Sequence, residues 1–248
     1  MLTITNRISF AVMISAIILF TSAIFSQPSV NEHSIKFSDV TTATLVGEDG
    51  IIMKTTNNGT TWDEQTSGVT NVLYGNSHIT GLSLVVGENG VILRSSDGGI
   101  NWEYIEVSTL DHLRDVEIVS STVAAACGDN GTMLLTTDAG ISWTETASGV
   151  TTNLNDIKFV SGGIGYATGD NAVLIKTTNS GSSWAEIDMS FTNGKINAVE
   201  AIDENNLILV GEMGKVLLSN DGGSSWYAPM GLSYETDLNH VVFLDAFT

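Results

Sequence analysis

The residues best placed to do chemistry in this 248-residue chain are its carboxylates: 28 Asp and Glu stand against 9 Lys and Arg, for a net charge of −19. Five of the acids recur at one spot, immediately after a glycine: Glu48, Glu88, Asp129, Asp170 and Glu212. Brought together, they would form a ring able to hold a basic peptide or a cation. The competing reading is that each carboxylate caps the backbone N–H groups of its own turn. Glycoside hydrolysis would need a different arrangement, two carboxylates about 5–5.5 Å or about 6.5–9.5 Å apart. A catalytic pair should break the repeat, whereas these acids follow it. The same acidity argues against nucleic acid, whose phosphates need clustered Lys and Arg, and against anionic membrane surfaces.

Other catalytic signatures are missing from the sequence. His33, His78, His112 and His240 are scattered, with no His-x-x-x-His or Cys/His spacing for zinc. The glycine-rich turns lack the Lys-Ser/Thr of a phosphate loop, and Asp129-Asn-Gly131 and Asp170-Asn171 lack the alternating ligands and closing Glu of a calcium loop. Cys127 is the sole cysteine, so no internal disulfide forms. Its setting, Val123-Ala-Ala-Ala-Cys127, reads as a small buried strand residue rather than a nucleophile. No cofactor or metal is expected.

What must position the acids is a repeat. The five tryptophans, Trp62, Trp102, Trp143, Trp184 and Trp226, are 40, 41, 41 and 42 residues apart. Fifteen residues before each stands a glycine, Gly47, Gly87, Gly128, Gly169 or Gly211. The turn preceding each tryptophan also repeats. It carries Asn57 and Gly59 before Trp62, Asp97 and Gly99 before Trp102, and Asp138 and Gly140 before Trp143. Asn179 and Gly181 precede Trp184, and Asp221 and Gly223 precede Trp226. In such a turn the Asx side chain accepts local backbone N–H groups and the glycine permits positive φ. These fifteen residues are expected to be structural, with each indole wedged between adjacent sheets.

Within one period, Leu154 to Val160 alternates as a first strand and Gly165 to Thr168 makes a second. Val173 to Thr177 and Ser183 to Ile187 supply two more, joined by tight turns. Four short strands per period of this length form a propeller blade, and one blade cannot hide both faces alone. The fold class is therefore all-β: a β-propeller of four-stranded blades, five complete blades plus the first strand of a sixth. The blades span about 32–66, 70–107, 112–147, 153–188 and 195–229, with the extra strand at 238–244. A sixth unit that starts in register and stops is expected to mean that the chain is the N-terminal part of a longer propeller; the other reading is a strand that caps a five-bladed ring.

The octets resemble the Asp-box, or BNR repeat, with its Ser-x-Asp-x-Gly-x-x-Trp pattern. The longer unit, seen in Leu113 to Trp143, Leu154 to Trp184 and Ile196 to Trp226, resembles the photosystem II stability and assembly factor family of propellers. The resemblance covers about residues 32 to 244. It implies the fold and leaves function open, because Asp-box propellers include sialidases, glucanases, sorting receptors and assembly factors. The sialidases imply three arginines around a carboxylate, and past residue 26 this chain has Arg94 and Arg114 alone. Family members that act on photosystem II are expected to use an arginine-bearing patch, which so acidic a chain lacks.

The N-terminus reads as a secretory signal over residues 1–26: Arg7, an apolar run from Phe10 to Phe20, then small residues up to Ser26. An uncleaved anchor is the alternative. The expected protein is thus a non-catalytic binding scaffold for a protein or glycan, secreted, periplasmic or at the cell surface. An extracellular glycoside hydrolase is the second reading.

Overall fold

The computed structural model describes residues 32–230 and 235–243; the signal segment lies outside the described residues. Nineteen strands form five antiparallel sheets. The first holds β1 (Glu32–Phe37), β2 (Ala43–Gly47), β3 (Ile52–Thr55) and β4 (Asp63–Gln65). The second holds β5 (Leu73–Ile79), β6 (Leu82–Gly87), β7 (Ile92–Ser95) and β8 (Glu103–Ile105). The third holds β9 (Leu113–Ile118), β10 (Ala124–Gly128), β11 (Met133–Thr136) and β12 (Thr144–Glu145). The fourth runs through β13 (Leu154–Phe159), β14 (Gly165–Gly169), β15 (Leu174–Thr177) and β16 (Ala185–Glu186). The fifth has three strands, β17 (Ile196–Ala201), β18 (Leu207–Gly211) and β19 (Val216–Ser219). Its fourth strand shrinks to one bridge, Leu218 with Tyr227. Pro229, two residues on, has no N–H with which to extend the ladder.

First strands of successive sheets adjoin, β1 with β5, β5 with β9, β9 with β13 and β13 with β17. The sheets therefore radiate as blades of a β-propeller, with the first strands lining its lumen. The glycine that ends each second strand explains how tightly the turn is drawn in. A Cβ on Gly87, Gly128, Gly169 or Gly211 would lie 2.1–2.2 Å from the carbonyl oxygen of Val72, His112, Asn153 or Lys195. Their φ values, −160 to −171°, are ordinary extended backbone. Close approach, not a left-handed backbone, requires glycine here.

The Asp-box turn sits at the other end of the third strand. In the third blade Thr136 Oγ1 donates to Asp138 Oδ1 at 2.8 Å and accepts from Gly140 N at 3.0 Å, while Ser142 N donates to Asp138 Oδ1 at 2.9 Å. The same three contacts recur around Asn57, Asp97, Asn179 and Asp221. Gly140 is at φ +79, and a Cβ there would lie 2.8 Å from Leu84 Cδ2 of the second blade. The turn thus rests on the preceding sheet. Long side chains of that sheet hold it: Lys54 Nζ donates to Gly98 O at 2.6 Å, Arg94 Nε to Ala139 O at 2.6 Å, and Lys176 Nζ to Gly222 O at 3.1 Å.

Each apolar cluster is shared by two blades and receives one indole. Trp102 packs on Val46 and Ile52 of the first blade and Val85 of the second, and Trp143 on Leu84 and Val116. Trp184 joins Ala125 and Met133 to Ile157 and Ile175, and Trp226 joins Tyr166 and Leu174 to Leu209. Trp184 is the most enclosed, 9% exposed, with Phe159 edge-on at 5.9 Å. Cys127 is fully buried in the same cluster, and burial pushes its thiol up. It is packing, as its small-residue setting implies.

The sixth unit lies in its slot without forming a ladder. Asn197 Nδ2 donates to Leu238 O at 2.9 Å, as Asn155 Nδ2 donates to Ile196 O at 2.9 Å one blade earlier. Met213 N donates to Asp237 Oδ1, as Asn130 N does to Asn153 Oδ1. Residues 238–243 occupy the first-strand position of the next blade, but no second strand among the described residues pairs with them.

Trp184→Ala should lower the unfolding free energy by about 3–5 kcal/mol, as other large buried truncations do. Urea denaturation measures it, and a loss below about 1 kcal/mol would mean that the indole carries no interblade packing.

Candidate functional site

The acids Glu48, Glu88, Asp129, Asp170 and Glu212 each open a three-residue turn between second and third strands. All five therefore sit on the face opposite the Asp-box turns, one per blade and half-buried. In each turn the backbone carbonyl of the acid accepts the hydrogen bond that closes it. Four carboxylates reach to first strands. Glu88 Oε2 accepts from Val72 N at 3.2 Å and Glu212 Oε2 from Lys195 N at 2.9 Å. Asp129 pairs with Arg114 Nε at 2.5 Å. Asp170 accepts from Asn153 Nδ2 at 3.0 Å and Asn155 Nδ2 at 3.3 Å, with Lys195 Nζ of the fifth blade 3.9 Å away. The turn face is thus acidic and pre-organised.

The lumen beneath that face holds a second set of charged residues that spacing alone did not single out. Strand register places Lys36, Ser77, Glu117, Lys158 and Glu200 at one level of the five first strands. One level nearer the turn face are Ser34, Gly75, Asp115, Asp156 and Ala198. At the first of these levels four of the five are charged and the second blade has Ser77, so residue type changes from blade to blade and only the strand register aligns them. Lys158 Nζ lies 3.0 Å from Glu200 Oε1 and 4.0 Å from Glu117 Oε1.

Asp115 and Asp156 tie neighbouring blades together. Each first strand carries a bulge near its start, and as the edge of its sheet it leaves outward backbone N–H groups without a ladder partner. Asp115 Oδ2 accepts from Ile157 N at 3.2 Å, and Asp156 Oδ2 from Val199 N at 2.7 Å. Ser77 Oγ does the same for Ile118 N at 3.1 Å. Desolvation, followed by the Asp115 carboxylate beside it, raises Asp156 well above the usual carboxylate range. Asp156 is enclosed by protein yet keeps an edge on the lumen. Burial would lower the Lys36 ammonium, but Asp115, Glu117, Asp156 and Glu200 together outweigh it and hold it above its ordinary value. His78 is pushed down to about 4 by burial and by Lys36 and Lys54, and its Nε2 stands 3.2 Å from Asn76 Nδ2.

Glu117 is pushed up to about 7, chiefly by desolvation and then by Asp115 and Glu200, against the pull of Lys36 and Lys158. A carboxyl raised in the folded state contributes stability in full below its unfolded value near 4.5 and loses it as pH rises through about 7. Glu117→Gln keeps the neutral form at every pH. The variant should match the parent near pH 4 and exceed it by on the order of 2–3 kcal/mol at pH 8. Urea titrations across that range test the sign, and parallel curves for the two proteins would refute it.

A family model described as photosynthesis system II assembly factor YCF48 matches residues 100–236. A comparison with curated proteins finds no match. Among solved structures, YCF48 bound to D1 peptide is similar with TM-score 0.59 and 17% identity, over 84% of this chain and 84% of that one. YCF48 from Cyanidioschyzon merolae is similar with TM-score 0.59 and 17% identity, over 87% and 90%. An ancestral GH74 enzyme superposes with TM-score 0.69 at 14% identity, over 83% of this chain but 32% of that one. At such identities the structures establish the fold alone. With its four complete Asp-box blades, its fifth of three strands, and a family match over more than half its length, this chain belongs to the YCF48 family of BNR-repeat β-propellers.

Proposed function

We propose that this protein is a non-catalytic, exported propeller that binds a polypeptide partner, through a basic segment, on the face of the second-to-third-strand turns. One observation carries the reading: that face presents a carboxylate from each of five blades around the lumen in a protein of net charge −19. An acidic surface attracts basic partners and speeds their encounter. A peptide is present in the structure of the relative named as YCF48 bound to D1 peptide, which supports a polypeptide ligand over a glycan. Export rests on the signal-like residues 1–26.

The relative's partner is not carried over. Both arginines beyond the N-terminal segment are already committed, Arg94 to Ala139 O and Glu103, and Arg114 to Asp129. The glycosidase alternative meets a similar obstacle. The carboxylates raised above their ordinary range, Glu117 and Asp156, stand on the lumen wall, Glu117 beside Lys158 and Asp156 bonded to Val199 N. Each is thus engaged, by an ammonium or by a backbone donor, and is not one of the two free carboxyl groups that glycoside hydrolysis needs.

Titrating the protein with a lysine- and arginine-rich peptide and with its acidic counterpart tests the reading. The basic peptide should bind, and its affinity should fall steadily with added salt. Replacing Glu48, Glu88 and Glu212 by Gln and Asp129 and Asp170 by Asn should weaken binding at least tenfold. Unchanged binding by a variant that melts like the parent would end the proposal.

A further inference from the structure

The bulged residue of each first strand projects at the lumen's mouth on the acidic face. In chain order these are His33, Tyr74, Arg114, Asn155 and Asn197. The bulge re-aims that side chain out of the ladder. In the fourth and fifth blades it is an asparagine that donates to the next unit's backbone, to Ile196 O and Leu238 O, both at 2.9 Å. In the first two blades the amide is replaced by a ring, and no such bridge forms there among the described residues. His33 stands edge-on to Tyr74 at 5.3 Å, and His112 of the third blade lies 6.3 Å from it, tilted by 55°. His33 is exposed and Tyr74 half-buried.

These rings are set among carboxylates. Tyr74 Oη donates to Glu88 Oε1 at 3.4 Å, and His112 Nδ1 accepts from Asn89 N at 3.1 Å. Asp129 lies close enough to act on the Tyr74 phenol, and the nearby Arg114 is held by Asp129 at 2.5 Å. An aromatic platform appears where the fourth and fifth blades have interblade clamps, and the third blade has Arg114 bound to its own Asp129. A ring face beside carboxylates suits a cation, which gains from the ring quadrupole and from charge together. A neutral sugar would use the ring alone.

We infer that His33, Tyr74 and His112, with Glu88, form a subsite for one lysine or arginine side chain of the bound polypeptide, the cation seated against Tyr74. This rests on the turn face being the binding surface, and it adds which blades grip the ligand and by what group. The interaction is worth a factor of about ten in affinity at a half-exposed site.

The test uses the full chain and three probes: a Gly-Ser peptide carrying two arginines, the same peptide with citrulline in their place, and a neutral β-glucan oligosaccharide. Calorimetry should show the arginine peptide binding and the citrulline peptide at least tenfold weaker. Tyr74→Ala should lose about tenfold for the arginine peptide, and Glu88→Gln, which leaves the ring in place, should lose part of that. Tyr104→Ala, an exposed tyrosine on β8, should change nothing. If the arginine peptide binds equally well to Tyr74→Ala and Glu88→Gln variants that melt like the parent, the subsite is wrong and the turn-face reading survives. If only the oligosaccharide binds, and Tyr74→Ala abolishes that, the cation subsite is overturned in favour of a sugar platform. If nothing binds the parent, both readings fall.

Discussion

At the end of the second strand in blades two to five, a glycine is pressed onto the carbonyl oxygen that precedes its own blade's first strand. The 2.1–2.2 Å that a Cβ would leave at Gly87, Gly128, Gly169 and Gly211 cannot be relieved by a side-chain rotation, because the obstacle is backbone. That contact draws the second-to-third turn in over the lumen and fixes where its acid must lie. With the turn fixed, Glu88, Asp129, Asp170 and Glu212 reach their own first strands at hydrogen-bond distance. The opposite end is fixed by a different device, the Asx-and-hydroxyl turn that rests on the preceding blade. Between the two the indole closes the gap. A blade is therefore defined at both ends by backbone geometry, and length varies outside that span, in the loop between first and second strands and in the linker after Trp184.

This division explains what could be read from the residues alone. The constant fifteen-residue interval from glycine to tryptophan spans the part locked at both ends, so its spacing carries the architecture directly. The acids were found for the same reason, being one residue from a fixed glycine. Their hydrogen bonds were not legible, because turn capping and first-strand anchoring place a carboxylate at the same sequence position. The reason for the glycine was also hidden: a close contact and a left-handed backbone leave the same letter, and only φ near −165° separates them. The weak fourth strand of the fifth blade was not read from the sequence, because the N–H that Pro229 lacks matters only once its pairing partner, the strand around Leu218, is known.

The lumen was harder to see. Lys36, Glu117, Lys158 and Glu200 look like solvated positions of alternating strands until the first strands are stacked side by side. Their residue types differ between blades, so no repeat motif flags them. The same holds for the rings at the mouth: His33 and Tyr74 are unremarkable in sequence, and they gain meaning from the asparagines that take their place in later blades. The acids recur with the period, whereas the rings are departures from it.

Charges enclosed between blades ordinarily cost more in desolvation than their pairing returns. The lumen tolerates them because they are paired or hydrogen-bonded. Lys158 answers both Glu117 and Glu200, and Asp115 and Asp156 each accept a backbone N–H from the edge strand of the next blade. The bulge turns one side chain up to the mouth, and below it the strand's free edge offers donors that the preceding blade satisfies. Blades one and two give up the amide bridge at the mouth, but Ser77 still satisfies Ile118 N beneath it. The rings at the mouth are therefore supported from below, so the surface there is free to serve a ligand without loosening the blades that carry it.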